Sequence, residues 1–260
     1  VAAEGAALVT GAAQRLGRAM ALALAAQGMD VVIHYDRSAE AAEATAAQAR
    51  ALGVRAVALQ ADLLDHNATL ALVPRAAEAL GQLTLLVNNA SIFEMDRIDT
   101  ATLESWDRHL DSNLRAPLFL TQAFAAQAPD TGRLRDEPVA RALVVNMIDQ
   151  RVLKPTPAFM TYSLAKHGLW ALTRTSAQAL APRIRVNAIA PGPTLRAARQ
   201  PQDHFARQRE ACILGRGGDP DDVVAALLYL RGAKAVTGQM IAVDGGQHLQ
   251  WQTRDILGPA

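Results

Sequence analysis

The run Ala7-Leu8-Val9-Thr10-Gly11-Ala12-Ala13-Gln14-Arg15-Leu16-Gly17 decides the fold. It opens on a short apolar stretch and ends inside an alanine-rich pattern of helical period. Glycines between a buried strand and a helix allow a tight turn. They let backbone N–H groups approach a pyrophosphate, and the helix N-terminus adds partial positive charge. Gly11, Leu16 and Gly17 are therefore candidates to border a dinucleotide phosphate. Arg15 stands where many such turns carry another glycine, and its guanidinium suits bidentate contacts to phosphate oxygens.

Working outward, the same alternation continues along the chain. Strands are predicted at 7–10, 31–35, 54–60, 83–87, 142–148, 185–189 and 240–243. Several are apolar at nearly every position, as strands covered on both faces are. Helices are predicted between them at 16–27, 39–52, 68–80, 103–111, 114–128, 162–180 and 221–230. Asp219-Pro220 supplies an N-cap and a first-turn proline for the last of these. Strand-helix-strand order implies right-handed crossovers and parallel pairing. The expected fold is α/β: one Rossmann-type domain over 1–260, with a doubly wound parallel sheet of about seven strands. Residues 129–138 read as a polar surface loop. Residues 191–217, rich in proline, glycine and arginine, read as irregular, with a substrate lid around 193–217.

Composition narrows the function classes. The 260 residues are 50% hydrophobic and carry a net charge of +1, which disfavours a nucleic-acid binder. Cys212 is the one cysteine, so neither an intramolecular disulfide nor a cysteine-rich zinc site can form, and a reducing cytoplasm is expected. No metal is expected. No stretch reaches the ~18 consecutive apolar residues of a membrane span. The first residues lack a basic segment followed by an apolar run.

The second strand ends in His34-Tyr35-Asp36-Arg37-Ser38. An acidic residue there commonly meets a ribose 2′-OH, and an arginine accommodates a 2′-phosphate. Both are present; Arg37 followed by Ser38 tips the balance to NADPH. Tyr162 and Lys166 sit at i and i+4 on the helix over 162–180, hence on one face. An ammonium beside a phenol lowers its pKa and fits it for acid–base work.

Together these segments resemble the short-chain dehydrogenase/reductases: Thr10-Gly11…Gly17, Asn88-Asn89-Ala90, Asn113, Tyr162…Lys166, Pro191-Gly192 and Val243-Asp244-Gly245-Gly246. The resemblance implies that Tyr162 is the proton donor and that Lys166 binds the nicotinamide ribose and lowers the tyrosine pKa. It also implies that Asn113 holds a water relay to Lys166, and that Asn89 and Ala90 line the cofactor. Asp62, followed by Leu63, would meet the adenine, and Pro191 and Gly192 would border the nicotinamide. Most of that family has a serine where this chain has Asp149, and a carboxyl can carry a whole proton where a hydroxyl can only hydrogen-bond. In an apolar pocket the protonated form of such a group is favoured.

A narrower resemblance joins Arg15, His34 to Ser38, Asn88-Asn89-Ala90-Ser91-Ile92-Phe93 and Asn146-Met147-Ile148-Asp149 to the pteridine reductases, and the Asp/Tyr/Lys pattern also to the bacterial dihydromonapterin reductases. It implies a flat pterin between the nicotinamide and Phe93. Arg15 and Ser91 would lie at the cofactor phosphate and pterin edge, with Asp149 and Tyr162 as the acid groups. A small-ketone reductase and a non-catalytic NADPH-binding sensor remain as alternatives. The family resemblance further implies a homotetramer formed through the helices over 114–128 and 162–180, with Ala165 and Gly168 allowing close approach. The tail 247–260, with Trp251, would cover a neighbouring subunit's site.

Overall fold

The apolar run that begins the chain forms a central strand because both of its faces are covered. Ala7 and Val9 point into one layer of core and Ala6 and Leu8 into the other, all fully buried. In this computed structural model, which describes residues 5–196 and 200–251, that strand is β1 (Ala6–Val9). It is followed by α1 (Arg15–Ala26), β2 (Asp30–Tyr35), α2 (Ala39–Ala51), β3 (Ala56–Gln60), α3 (His66–Leu80) and β4 (Leu83–Asn88). Then come α4 (Leu103–Leu110), α5 (Ala116–Gln127), β5 (Gly132–Leu134), β6 (Glu137–Val139) and β7 (Ala142–Met147). The chain continues with α6 (Met160–Leu180), β8 (Ile184–Pro191), α7 (Gln202–Glu210), α8 (Pro220–Gly232) and β9 (Met240–Val243).

Seven strands form one parallel sheet in the order β3-β2-β1-β4-β7-β8-β9. Helices α1, α2 and α8 supply the core on one face, and α3, α5 and α6 on the other. The strand order reverses between β1 and β4, and a doubly wound sheet opens its ligand crevice beyond the carboxyl ends of the strands at that point. The turn after β1, the segment 36–38 after β2, 61–63 after β3, 89–93 after β4, 148–151 after β7 and 192–194 after β8 all leave that edge.

Local signals explain most boundaries. Asp65 caps α3 by accepting from the N–H groups of Asn67 and Ala68. Asp219 and Asp222 form a reciprocal box at the start of α8, with Pro220 at its first position, as the sequence predicts. Four expectations need correction. Residues 129–138, read as loop, contribute to the antiparallel hairpin of β5 and β6; its turn residues Arg135 and Asp136 both have left-handed φ, of 51° and 65°. Such turns favour Asn-Gly or Asp-Gly, so this pair gave no signal. The segment 191–217 contains α7, whose polar sequence has no apolar stripe to read and buries no residue. The two helices expected over 103–111 and 114–128 are continuous through a π-helical turn, Asp111–Arg115, that carries Asn113. Finally, Ala165 and Gly168 do not form an open stripe on α6. Ala165 is buried, and a side chain at Gly168 would meet Leu114 of the same chain.

No helix among the described residues is long and apolar enough to cross a membrane. The expected covering role of the tail falls largely on 252–260, outside the described residues; Trp251 itself is exposed.

Candidate active site

The turn after β1 is tied to the exit of β4 by backbone and neutral side chains. Thr10 Oγ1 accepts from the N–H groups of Asn89 and Ala90, each at 2.9 Å, and Asn89 Nδ2 donates to the carbonyls of Thr10 and Gly11. A Cβ at Gly17 would overlap the Gly11 carbonyl oxygen and crowd Asn89, so helix and turn can approach this closely only with glycine. Gly192 is similarly constrained: a Cβ there would lie 2.6 Å from Asp244 Cβ. At the start of α1, Gln14 makes no side-chain cap and the first turn holds no acidic residue. No acidic side chain of that turn competes for its N–H groups, an arrangement suited to a phosphate.

Arg15 adopts a left-handed φ of 55°, the glycine-like conformation its position implied. Its guanidinium donates to the carbonyls of Arg196 and Leu195 at 3.0 and 3.1 Å, bridging the turn to the segment after β8. His34 departs from expectation. Gly11 N–H donates to Nδ1 at 3.0 Å, which leaves Nε2 to donate to the Ala61 carbonyl at 3.0 Å. Both ring nitrogens are committed to backbone and the ring is buried, so His34 supports the turn from beneath instead of facing the crevice. Burial lowers its pKa to about 4, so the ring is neutral. Tyr35 is half-buried, and Arg37 is exposed and paired with Asp36 at 3.3 Å beside Ser38. Asp62 accepts from Leu64 N–H at 2.9 Å and Leu63 is buried.

Across the crevice, Tyr162 and Lys166 lie on the first turns of α6 and Asp149 at the exit of β7. The Tyr162 hydroxyl donates to Asp149 Oδ2 at 2.9 Å. Lys166 Nζ donates to the Met147 carbonyl at 2.8 Å and lies 5.6 Å from the Tyr162 ring centre. Burial lowers the Lys166 pKa to about 8. The expected lowering of the Tyr162 pKa is not what this arrangement produces. Burial, then the Asp149 charge and its hydrogen bond, push the phenol well above its ordinary value, opposed by Arg151 and by a hydrogen bond with Ser91. The Asn113 side chain pins the loop after β4: its Nδ2 donates to the Ile92 carbonyl at 2.9 Å and its Oδ1 accepts from Ile92 N–H at 3.0 Å.

Phe93 stands edge-on to Tyr162, with ring centres 4.8 Å apart, and stacks on Phe159 at 4.2 Å. Sequence reasoning missed Phe159, Arg151, Asp96, Thr161 and His109. Asp96 accepts from the N–H groups of Phe159 and Met160 through its carbonyl and from Thr161 N–H and Oγ1 through its carboxylate, so it caps α6 from a distant loop. Ser105 Oγ donates to the same carboxylate at 3.0 Å. Glu94 N–H donates to His109 Nε2, leaving Nδ1 to donate to Thr161 Oγ1 at 2.7 Å. The loop carrying Phe93 is thereby stitched to the helix carrying Tyr162. These partners lie far apart in sequence and follow no period, so nothing local announced them.

A phosphate-ready turn facing a buried phenol, ammonium and carboxyl across the switch point of a doubly wound sheet is the architecture of a Rossmann-type oxidoreductase. Residues 11–248 match the family model described as Enoyl-(Acyl carrier protein) reductase. The chain belongs to the short-chain dehydrogenase/reductase family, whose members use a nicotinamide dinucleotide. It is 44% identical to FolM Alternative dihydrofolate reductase 1 from Brucella suis, solved in complex with NADP, with a TM-score of 0.90 covering 97% of this chain and 98% of that one. It is 34% identical to a 3-oxoacyl-[acyl-carrier-protein] reductase of Synechocystis sp., over 92% of this chain and 95% of that protein. It is also 35% identical to 3beta-hydroxysteroid dehydrogenase 1 of Eggerthella lenta, over 93% of each.

Proposed function

We propose that the protein reduces a pterin or dihydropterin with NADPH. The observation that carries this reading is the Tyr162–Asp149 hydrogen bond of 2.9 Å set beside the Phe93 ring. A flat heteroaromatic ring needs an aromatic face to lie on, and reduction of its C=N bond needs a proton delivered to nitrogen. The similarity to FolM Alternative dihydrofolate reductase 1, solved in complex with NADP, supports the cofactor and a pterin-type substrate.

The bound dinucleotide supplies the hydride. Gly11, Leu16, Gly17 and the N-terminus of α1 hold its pyrophosphate, Arg37 and Ser38 the 2′-phosphate, and Tyr35, with His34 beneath the turn, shapes that end of the crevice. Asp62 and Leu63 border the adenine, Asn89 and Ala90 the middle of the dinucleotide, and Pro191 and Gly192 the nicotinamide. Lys166 orients the adjoining ribose. Arg15 and Ser91 meet the pterin edge, Phe93 covers its face, and Tyr162 with Asp149 handles the proton. Asn113 keeps the Ile92–Phe93 loop in register. The segment 193–217 closes over the substrate, and the Arg15 bonds to its backbone favour that role. Exposed Leu118 on α5 and Leu164 on α6 favour a homotetramer through those helices.

The deciding assay follows NADPH absorbance with biopterin, dihydrobiopterin, dihydromonapterin and dihydrofolate. Turnover of at least one is expected, and none would overturn the reading. The similarity to 3-oxoacyl and hydroxysteroid enzymes favours a second reading, reduction of a small ketone. Asp149→Ser separates the two, lowering pterin turnover under the first and preserving or raising ketone turnover under the second.

A further inference from the structure

We infer that Arg151 holds Asp149 as a carboxylate and so leaves the proton of the pair on Tyr162. This rests on the reading of Asp149 and Tyr162 as the proton-handling groups. Three donors converge on the Asp149 carboxyl. Arg151 N–H donates to Oδ1 at 2.8 Å, Arg151 Nη1 reaches Oδ2 at 3.3 Å, and the Tyr162 hydroxyl donates to that same Oδ2. Neither a backbone N–H nor a guanidinium can accept a proton, so of these three partners a carboxylic O–H could donate only to the Tyr162 oxygen, and it would forfeit the charge that Arg151 pairs with. An ionised, acceptor-only carboxylate satisfies all three.

The guanidinium is not a swinging surface group. It lies 5.4 Å from the Phe93 ring centre and 5.0 Å from that of Phe159, and the side chain is 16% exposed. It thus lies beside the stacked Phe93–Phe159 pair as well as against the proton-handling carboxyl. Among the described residues, few groups face Asp149. Tyr162 and Lys166 come from α6, and Arg151 from the short 3₁₀ turn Gln150–Val152 that Asp149 itself caps. The β4 exit brings Ser91 and Phe93, and His109 of α4 lies 6.0 Å from the Tyr162 ring. Lys166 spends its short hydrogen bond on the Met147 carbonyl, so Arg151 is the direct counter-charge.

The consequence is an ordered proton transfer. With a bound reduced nicotinamide supplying hydride to the carbon of the substrate C=N bond, Tyr162 would give its proton to the ring nitrogen, which takes it on the electron pair released from that bond. Tyr162 is left as a phenolate, beside a carboxylate, and solvent returns its proton after product leaves. Arg151 and Lys166 together balance those two negative charges.

The test compares wild type, Arg151→Met, Arg151→Lys and Asp149→Asn in the saturated NADPH complex, with the pH dependence of kcat for dihydropterin reduction. The limb that disappears in Asp149→Asn is expected to move upward by about one pH unit in Arg151→Met and to return most of the way in Arg151→Lys. A limb unmoved in Arg151→Met overturns the inference. A readout independent of turnover is a thermal double-mutant cycle of Arg151→Met and Asp149→Asn at pH 8, expected to be non-additive by ~2 °C or more. Additivity overturns the role of Arg151. If no pterin is turned over but the cycle is coupled, the substrate reading fails and the Arg151 assignment stands.

Discussion

The two walls of the crevice are held by different physics. On the dinucleotide side the turn after β1 is fastened by backbone carbonyls, Thr10, Asn89 and a neutral His34, with glycines where atoms must nearly touch. On the reaction side, ionised groups dominate: Asp149 with Arg151, Asp96 beneath the start of α6, and a buried Lys166. A neutral, closely packed wall can bind a large anion without changing with pH near neutrality. A wall built of buried charges responds to pH because each charge is held by partners that can be titrated or removed.

The largest effect that would break this contrast is on turnover. Tyr162→Phe keeps the ring against Phe93 but removes the proton, and kcat should fall by about 10²–10⁴-fold while NADPH affinity changes little. A comparable loss in NADPH affinity would mean that the two walls are not separable. Stopped-flow fluorescence of bound NADPH alongside steady-state kinetics measures both.

The dinucleotide wall has its own titration, but at acid pH. His34 is neutral in the fold with a pKa of about 4, against 6.5 when unfolded. Between those values the unfolded chain binds a proton that the native protein does not, so stability rises with pH there and is lost as pH falls from 6.5 toward 4. The full difference corresponds to ~3 kcal/mol. His34→Gln keeps a donor and an acceptor yet cannot be protonated, so its melting temperature should fall less between pH 6.5 and 4.5 than that of wild type. An identical acid slope in both proteins would move the acid sensitivity elsewhere, for instance to Asp96.

The same division governs what the sequence made legible. The strands, the turn after β1 and Tyr162 with Lys166 are local patterns, read from apolar runs, glycine placement and helical spacing, and the sheet follows from strand-helix alternation. The polar stitching is not local. Asp96, Thr161 and His109 meet through three separate segments, and the π-helical turn at Asn113 is marked only by Pro117 just beyond it, which reads equally well as the first turn of a separate helix. Phe159 enters α6 with a left-handed φ of 60°, a conformation an aromatic residue does not advertise. His34 was read by its place at the strand end, whereas its burial turns the ring toward backbone. A chemically recognisable residue can thus be found from sequence, while the partner that orients it often cannot.

Asp96 offers the smallest and most discriminating perturbation of the reaction wall. Burial would raise the pKa of its carboxyl, but hydrogen bonds from Thr161 and Ser105 outweigh this and lower it, aided by His109. A depressed folded pKa contributes stability that is present above the ordinary carboxylate range and is lost as pH falls through the folded value. Asp96→Asn retains an oxygen for Thr161 N–H, but presents amide protons where Thr161 Oγ1 and Ser105 Oγ now donate. We expect a loss of about 1–2 kcal/mol in stability at neutral pH, as for a weakened helix cap with two mismatched hydroxyl donors. Urea unfolding measures it, and the loss should shrink in acid as the wild-type carboxyl is protonated. The Phe93 loop and the Tyr162 helix share this anchor, so KM for the substrate should rise with little change in NADPH affinity. A variant with native stability and an unchanged KM would show that the loop and helix hold their register without Asp96.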